Sequence, residues 1–196
     1  SELLQQIKLT PWSRSEYEYC LDEIEVVNPI ESARRLFFRI WMNFHGAVQA
    51  TKGNWRRQKH GKKSLLSDVR LDNLLQASER LQKVQLENRD AFRLIREFDS
   101  PETLFYLDPP YIFSTRTMSK AYSNEMTDQN HREFADLLYN VKGFVILSGY
   151  PSEIYEELFE AKGWKRVDKE AVVMGGGKRI ESLWLSPRTF EALQIS

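Results

Sequence analysis

The run Leu104-Phe105-Tyr106-Leu107-Asp108-Pro109-Pro110-Tyr111 places an acid, two prolines and an aromatic directly after a short apolar stretch. Each proline fixes its own φ, removes a backbone donor and restricts the residue before it, so Asp108 and the Pro109 carbonyl are expected in a stiff extended turn. The chemistry on offer is that of two hydrogen-bond acceptors with little freedom to move, beside the flat face of Tyr111. Such a set suits a planar ligand that carries donors. The plainer alternative is a strand-ending turn whose acid caps a helix.

The flanking elements decide where such a set would sit. After Lys83 the sequence alternates short strands and helices, with 84–87 a strand, Ala91 to Glu97 a helix and Thr103 to Leu107 a strand running into Asp108. Thr127 can cap a helix to about Val141 with Gly143 as its terminator, and Phe144 to Leu147 reads as a buried strand. Pro151 opens another helix, stopped near Gly163. Strands at 165–173 and 180–185 follow, parted by Gly175, Gly176 and Gly177. The alternation predicts a mostly parallel sheet with helices on both faces, in which ligands sit beyond the carboxyl ends of the strands. The triple glycine lacks the spacing of a phosphate loop and reads as a tight turn.

From Tyr17 to about Leu81 the pattern is mainly helical. Asn28 is a good N-cap, Pro29 suits the first turn and Glu31 complements the positive helix end. Ala33, Leu36, Phe37, Ile40, Trp41 and Phe44 then recur at helical steps until Gly46 supplies a stop. Gln49 to Ser64 reads as a loop or short hairpin, and 67–81 as a further amphipathic helix. Within the loop, 51–63 holds Lys52, Arg56, Arg57, Lys59, Lys62 and Lys63 without an acid, together with Asn54 and Trp55. A solvated loop is the ordinary reading of such a run; a nucleic-acid contact is the other.

Composition narrows the classes. The 196 residues are 41% hydrophobic and 29% charged, which fits a globular chain with a real core. The 28 basic and 28 acidic residues balance, so only the local basic cluster points to a polyanion. Cys20 is the single cysteine, and His45, His60 and His131 are far apart, which excludes an intrachain disulfide and offers no metal-ligand spacing. No apolar run reaches the roughly 20 residues of a membrane span, and the start lacks the pattern of a secretory signal, so a cytoplasmic home is expected.

Asp108-Pro109-Pro110-Tyr111 after an apolar strand resembles the catalytic motif of the Dam-like adenine-specific DNA methyltransferases. Four further pieces are similar in order and spacing: Asn88 to Phe92, Tyr122-Ser123-Asn124, Leu147-Ser148-Gly149-Tyr150 and Arg179 to Trp184. Leu9 to Tyr17 also resembles the segment that enters the family's helical recognition insertion.

The resemblance implies an α/β fold, a partial Rossmann-like methyltransferase sheet with a helical DNA-recognition insertion, divided into 10–83 for recognition and 84–196 for catalysis. It implies methyl transfer from S-adenosylmethionine to the N6 amine of an adenine flipped out of double-stranded DNA. Asp108 and the Pro109 carbonyl, held by Pro110, would accept from the amine, and Tyr111 would stack on the base. Asp90 and Phe92 would lie against the adenine end of the cofactor; Asp90 reads equally as a helix N-cap and Phe92 as core. The 51–63 loop would supply phosphate contacts, with Asn54 or Trp55 reaching bases. Tyr122 and Asn124 would line the target-base pocket or order the loop after Tyr111, and Tyr150 has the same two readings.

The family pattern begins with a lysine-bearing segment and a Phe-x-Gly-x-Gly loop, and this sequence holds neither. The expectation is that Ser1 falls inside a longer ancestral protein and that a complementary N-terminal segment completes the cofactor site. Alone, the chain is expected to bind S-adenosylmethionine poorly. The competing readings are an inactive DNA-binding remnant, or modification of a protein glutamine or RNA base. Asp108 in place of Asn or Ser favours adenine, and the basic insertion favours DNA.

Overall fold

The computed structural model describes residues 1–22, 28–43, 54–56, 71–112, 126–172 and 178–194, and the chain divides into two compact units, 1–86 and 87–196.

The first unit is helical: α1 (Glu2–Leu9), α2 (Arg14–Leu21), α3 (Pro29–Trp41) and α4 (Leu71–Leu81). Its core joins Ile7, Tyr17, Cys20, Phe37, Phe38 and Met42. The Asn28 side chain caps α3 as expected, accepting from the Ile30 and Glu31 amides at 2.8 and 3.3 Å. The buried face of α3 differs from the apolar stripe read in the sequence. Leu36 and Trp41 are exposed, whereas Arg34 and Arg35 are each only 8% exposed. The reason is electrostatic: Glu31 bonds Arg34 at 2.7 Å and Arg35 at 2.9 Å, and Glu16 bonds Arg34 at 2.6 Å, so each buried guanidinium has a carboxylate partner. The helix also stops short of the expected Gly46. Asn43 forms an antiparallel bridge with Trp55, and the Met42 carbonyl accepts from the Arg56 amide at 2.6 Å. Phe44, Gly46, most of the loop 49–64 and residues 67–70 lie outside the described residues.

The second unit runs α5 (Ala91–Phe98), β1 (Leu104–Leu107), α6 (Asp128–Tyr139), β2 (Phe144–Gly149), α7 (Glu153–Leu158), β3 (Lys165–Val172), β4 (Lys178–Leu185) and α8 (Pro187–Gln194). Among the described strands the sheet order is β1-β2-β4-β3, with β1 at one edge. Only β1 and β2 are parallel; β4 is antiparallel to both of its neighbours. The mostly parallel sheet is therefore not found. The link between β3 and β4 is too short for a crossover, so the two strands pair as a hairpin.

The core collects on one face of this sheet, where Val145, Leu147 and Trp184 meet Phe134 and Leu138 of α6 and Tyr155 of α7. On the opposite face of β1, Leu104 is 58% and Tyr106 63% exposed. The strand expected at 84–87 is irregular and exposed instead. An extended segment becomes a strand only when its backbone groups find a ladder, and none of the described strands pairs with this one.

Local signals fared better. Thr127 caps α6 in a reciprocal capping box with Asn130. Gly163 closes the turn after α7 at φ 86°, the left-handed region where glycine is favoured. Gly143 has a different task from the helix stop expected of it. The helix ends at Tyr139, and a Cβ on Gly143 would lie 2.5 Å from the Thr103 carbonyl oxygen, so glycine allows the entries of β1 and β2 to meet. Asp99 ties the same junction by accepting from the amides of Lys142 and Gly143 at 2.9 and 3.1 Å. Helices α1 and α8 were not foreseen, although Ser186-Pro187 carries a start signal for the latter.

Candidate active site

Asp108 to Tyr111 leave the sheet where β1 ends, as the sequence predicts. Strand β2 lies beside β1 in parallel register, Leu107 opposite Leu147. It continues two residues beyond the expected Leu147, and the first of these, Ser148, faces the acid. Its hydroxyl donates to Asp108 Oδ1 at 2.8 Å and approaches the Leu107 carbonyl at 3.2 Å. Asp108 itself is exposed, so its carboxylate is held from the protein side and open on the other.

Tyr111 is half-buried and meets Tyr150 edge to face, with ring centroids 4.5 Å apart and an interplanar angle of 77°. Its surroundings include the Ser148 hydroxyl and the Asp108 carboxylate. Burial pushes the phenol up to about 12, with the Ser148 hydroxyl opposing the shift and the Asp108 carboxylate adding to it. Tyr111 is therefore a neutral ring with a hydrogen to donate throughout the physiological range. Tyr150 is fixed from behind: Arg179 Nη1 donates to its hydroxyl at 3.1 Å, and the guanidinium lies 4.6 Å from the ring centroid.

Gly149 lies close to the core rings between these positions. A Cβ there would sit 3.0 Å from the Tyr155 ring and 3.3 Å from Trp184, so a larger residue would require these rings to shift by a few tenths of an ångström. The result is an open carboxylate with one oxygen engaged, next to a fixed aromatic pair, at the carboxyl end of two parallel strands. This set can accept hydrogens from a planar ligand and offer it a ring.

Asp90 and Phe92 belong to α5. Asp90 caps that helix, its Oδ1 accepting from the Arg93 amide at 2.9 Å, which agrees with the capping reading of this residue. The Phe92 ring packs on Phe134 with centroids 5.5 Å apart, at the wall of a groove of about 650 Å³ between α5 and α6. Tyr122 and Asn124 lie outside the described residues.

Of the basic loop, Asn54, Trp55 and Arg56 are described; Lys52, Arg57, Lys59, Lys62 and Lys63 lie outside the described residues. Trp55 packs against the helical core, and the Arg14 guanidinium sits 4.6 Å from its ring centroid. Arg56 is exposed, while its carbonyl accepts from Trp12 Nε1 at 3.3 Å. Sequence reasoning gave no task to Ser148 or Arg179, although both stand in pieces it singled out. Their signal was position at the end of a strand, which becomes legible only once strand register is known.

Among the described residues no group of three His, Cys, Asp or Glu could hold a metal, and no helix is long and apolar enough to cross a membrane. Residues 4–173 match the family model of the D12 class N6 adenine-specific DNA methyltransferases. No curated protein matches the chain.

Proposed function

Because the chain belongs to the D12 class N6 adenine-specific DNA methyltransferases, we propose that Asp108 to Tyr111 hold the target adenine while its N6 amine takes a methyl group from S-adenosylmethionine. The reaction is methylation of adenine in DNA. The observation that carries the assignment of residues is the Asp108 carboxylate, exposed yet fixed by Ser148 beside the Tyr111 ring.

The exocyclic amine of adenine is a weak nucleophile because its lone pair is delocalised into the ring. Acceptance of its hydrogens by Asp108 and by the Pro109 carbonyl favours the tetrahedral nitrogen needed for attack, an effect of positioning and electrostatics. The base is flipped out of the duplex and stacks on Tyr111, a contact of order 1–3 kcal/mol. A neutral Tyr111 phenol keeps that face free of charge. Tyr122 and Asn124 complete the pocket in this reading.

S-adenosylmethionine supplies an electrophilic methyl group on sulfonium. The donor set of α5 fits its adenine end: the cap engages Oδ1 of Asp90, and Oδ2 has no partner among the described residues. Phe92 would reach that end only from the rim of its groove, since its ring rests on Phe134. The glycine loop of the family pattern would come from a complementary N-terminal segment. Strand β1 stands at an edge among the described strands, and Leu104 and Tyr106 are exposed on one of its faces, which supports that arrangement.

The duplex is gripped by the helical unit, with Lys52, Asn54, Trp55, Arg56, Arg57, Lys59, Lys62 and Lys63 as its contacts, and the protein acts in the cytoplasm. The same edge position also favours a second reading, a DNA-binding remnant without turnover. Transfer of a radiolabelled methyl group to adenine-containing duplex, measured for the protein with and without the complementary segment, separates the two. Under the first reading Asp108→Ala lowers transfer by orders of magnitude while DNA affinity stays within about twofold. An Asp108→Ala protein that still turns over refutes the assigned role.

A further inference from the structure

We propose that Ser148 is a positioning residue for adenine methylation, its hydroxyl fixing the Asp108 carboxylate. The inference rests on the reading of Asp108 to Tyr111 as the set that holds the amine.

Three observations carry it. Ser148 stands on β2, inside the sheet and only 6% exposed, so its own position is set by the ladder with β1 and β4. Asp108, in contrast, is exposed and stands past the end of its strand, where solvent alone would let its side chain rotate. Ser148 thus transfers the rigidity of the sheet to a residue that lacks it.

The hydroxyl has a single hydrogen and two acceptors near it, Asp108 Oδ1 at 2.8 Å and the Leu107 carbonyl at 3.2 Å. A charged acceptor at the shorter distance wins, because charge-assisted hydrogen bonds are roughly twice as strong as neutral ones. Engagement of Oδ1 from below leaves Oδ2 as the oxygen that turns outward to an amine. Ser148 therefore decides which oxygen receives the substrate.

Ser148→Ala keeps the fold, because it removes one oxygen and adds no volume. Two measurements test the proposal. In the free protein, the Asp108 Hα–Hβ couplings report its side-chain rotamer without any need for turnover. They should be unequal in the parent, as for one rotamer, and nearly equal in Ser148→Ala, as for several. In methyl transfer, kcat should fall about a hundredfold, the scale of loss for a reacting group displaced by about 1 Å, with KM for DNA within about twofold. Unchanged couplings overturn the proposal, as does a raised KM with kcat preserved. Asp108→Ala serves as the separate arm: if it retains turnover, the reading of Asp108 fails, whereas a dead Asp108→Ala beside a fully active Ser148→Ala sinks only the role of Ser148.

Discussion

Tyr111 and Tyr150 cross at 77° with their ring centroids 4.5 Å apart, and Arg179 fixes the second ring by a hydrogen bond and by lying over its face. Tyr111 therefore rests on a neighbour that is itself anchored to β4. An edge-to-face aromatic pair is worth about 0.5–1.5 kcal/mol beyond burial. Tyr150→Ala should accordingly lower methyl transfer roughly two- to tenfold, while Tyr150→Phe, which keeps the ring, stays closer to the parent. Steady-state transfer to adenine-containing duplex measures both. Equal activity of Tyr150→Ala and the parent would show that Tyr111 needs no such support.

The basic loop has its own signature. Neutralising Arg56, Arg57, Lys62 and Lys63 together should weaken duplex binding and make log K less dependent on log salt, by up to about 3–4 in slope if each neutralises one phosphate. Fluorescence anisotropy over a salt series reads the slope. If it does not change, the DNA surface lies elsewhere on the chain.

Acid stability of the helical unit should turn on Glu31. The hydrogen bond from Arg34, then that from Arg35, holds its carboxyl down to about 2 against the opposing effect of burial. The folded value lies below the unfolded one, so the stabilisation is fully present above about pH 4.5 and is lost as pH falls towards about 2. Its size is on the order of 2 kcal/mol. Helical circular dichroism during thermal unfolding at successive pH values should show the loss, and Glu31→Gln should flatten it. A parent curve as flat as that of Glu31→Gln would mean that the ion cluster does not form in solution.

Cys20 should be inert. Burial chiefly, and the neighbouring Glu16 charge, push its thiol up to about 12, and the side chain is only 4% exposed. The thiolate is the reactive form. A disulfide reagent at pH 8 should therefore react with Cys20 only after denaturation. Rapid labelling of the native protein would contradict the packing of α2 against α3.

What the sequence disclosed was what is decided locally. Asn28 and Thr127 cap their helices through contacts within three residues, and Gly163 answers a backbone requirement at its own position. Asp108 to Tyr111 belong with them, since the stiffness of the turn is built into the two prolines. The inward turn of Arg34 was not legible, because it depends on Glu16, a residue 18 positions away that becomes its partner only when α2 and α3 pack. Hydrophobic periodicity cannot foresee a buried charge that brings its counter-charge with it. Strand direction in the second unit escaped for a similar reason: β3 and β4 carry strand signals, but which neighbour each takes is settled by the sheet. The partnership of Ser148 with Asp108 spans 40 residues and exists only because β1 and β2 run side by side.

The two prolines after β1 have one more consequence. An unguarded edge strand is a template on which foreign chains can polymerise, and among the described strands β1 stands at such an edge. A strand recruited there would find only the four residues of β1 before it met Pro109 and Pro110, which have no amide hydrogen to offer. Four residues fall short of the six or seven that sustain a cross-β stack. The residues that stiffen the site thus also end the strand on which a foreign chain could add, in the manner of gatekeeper residues.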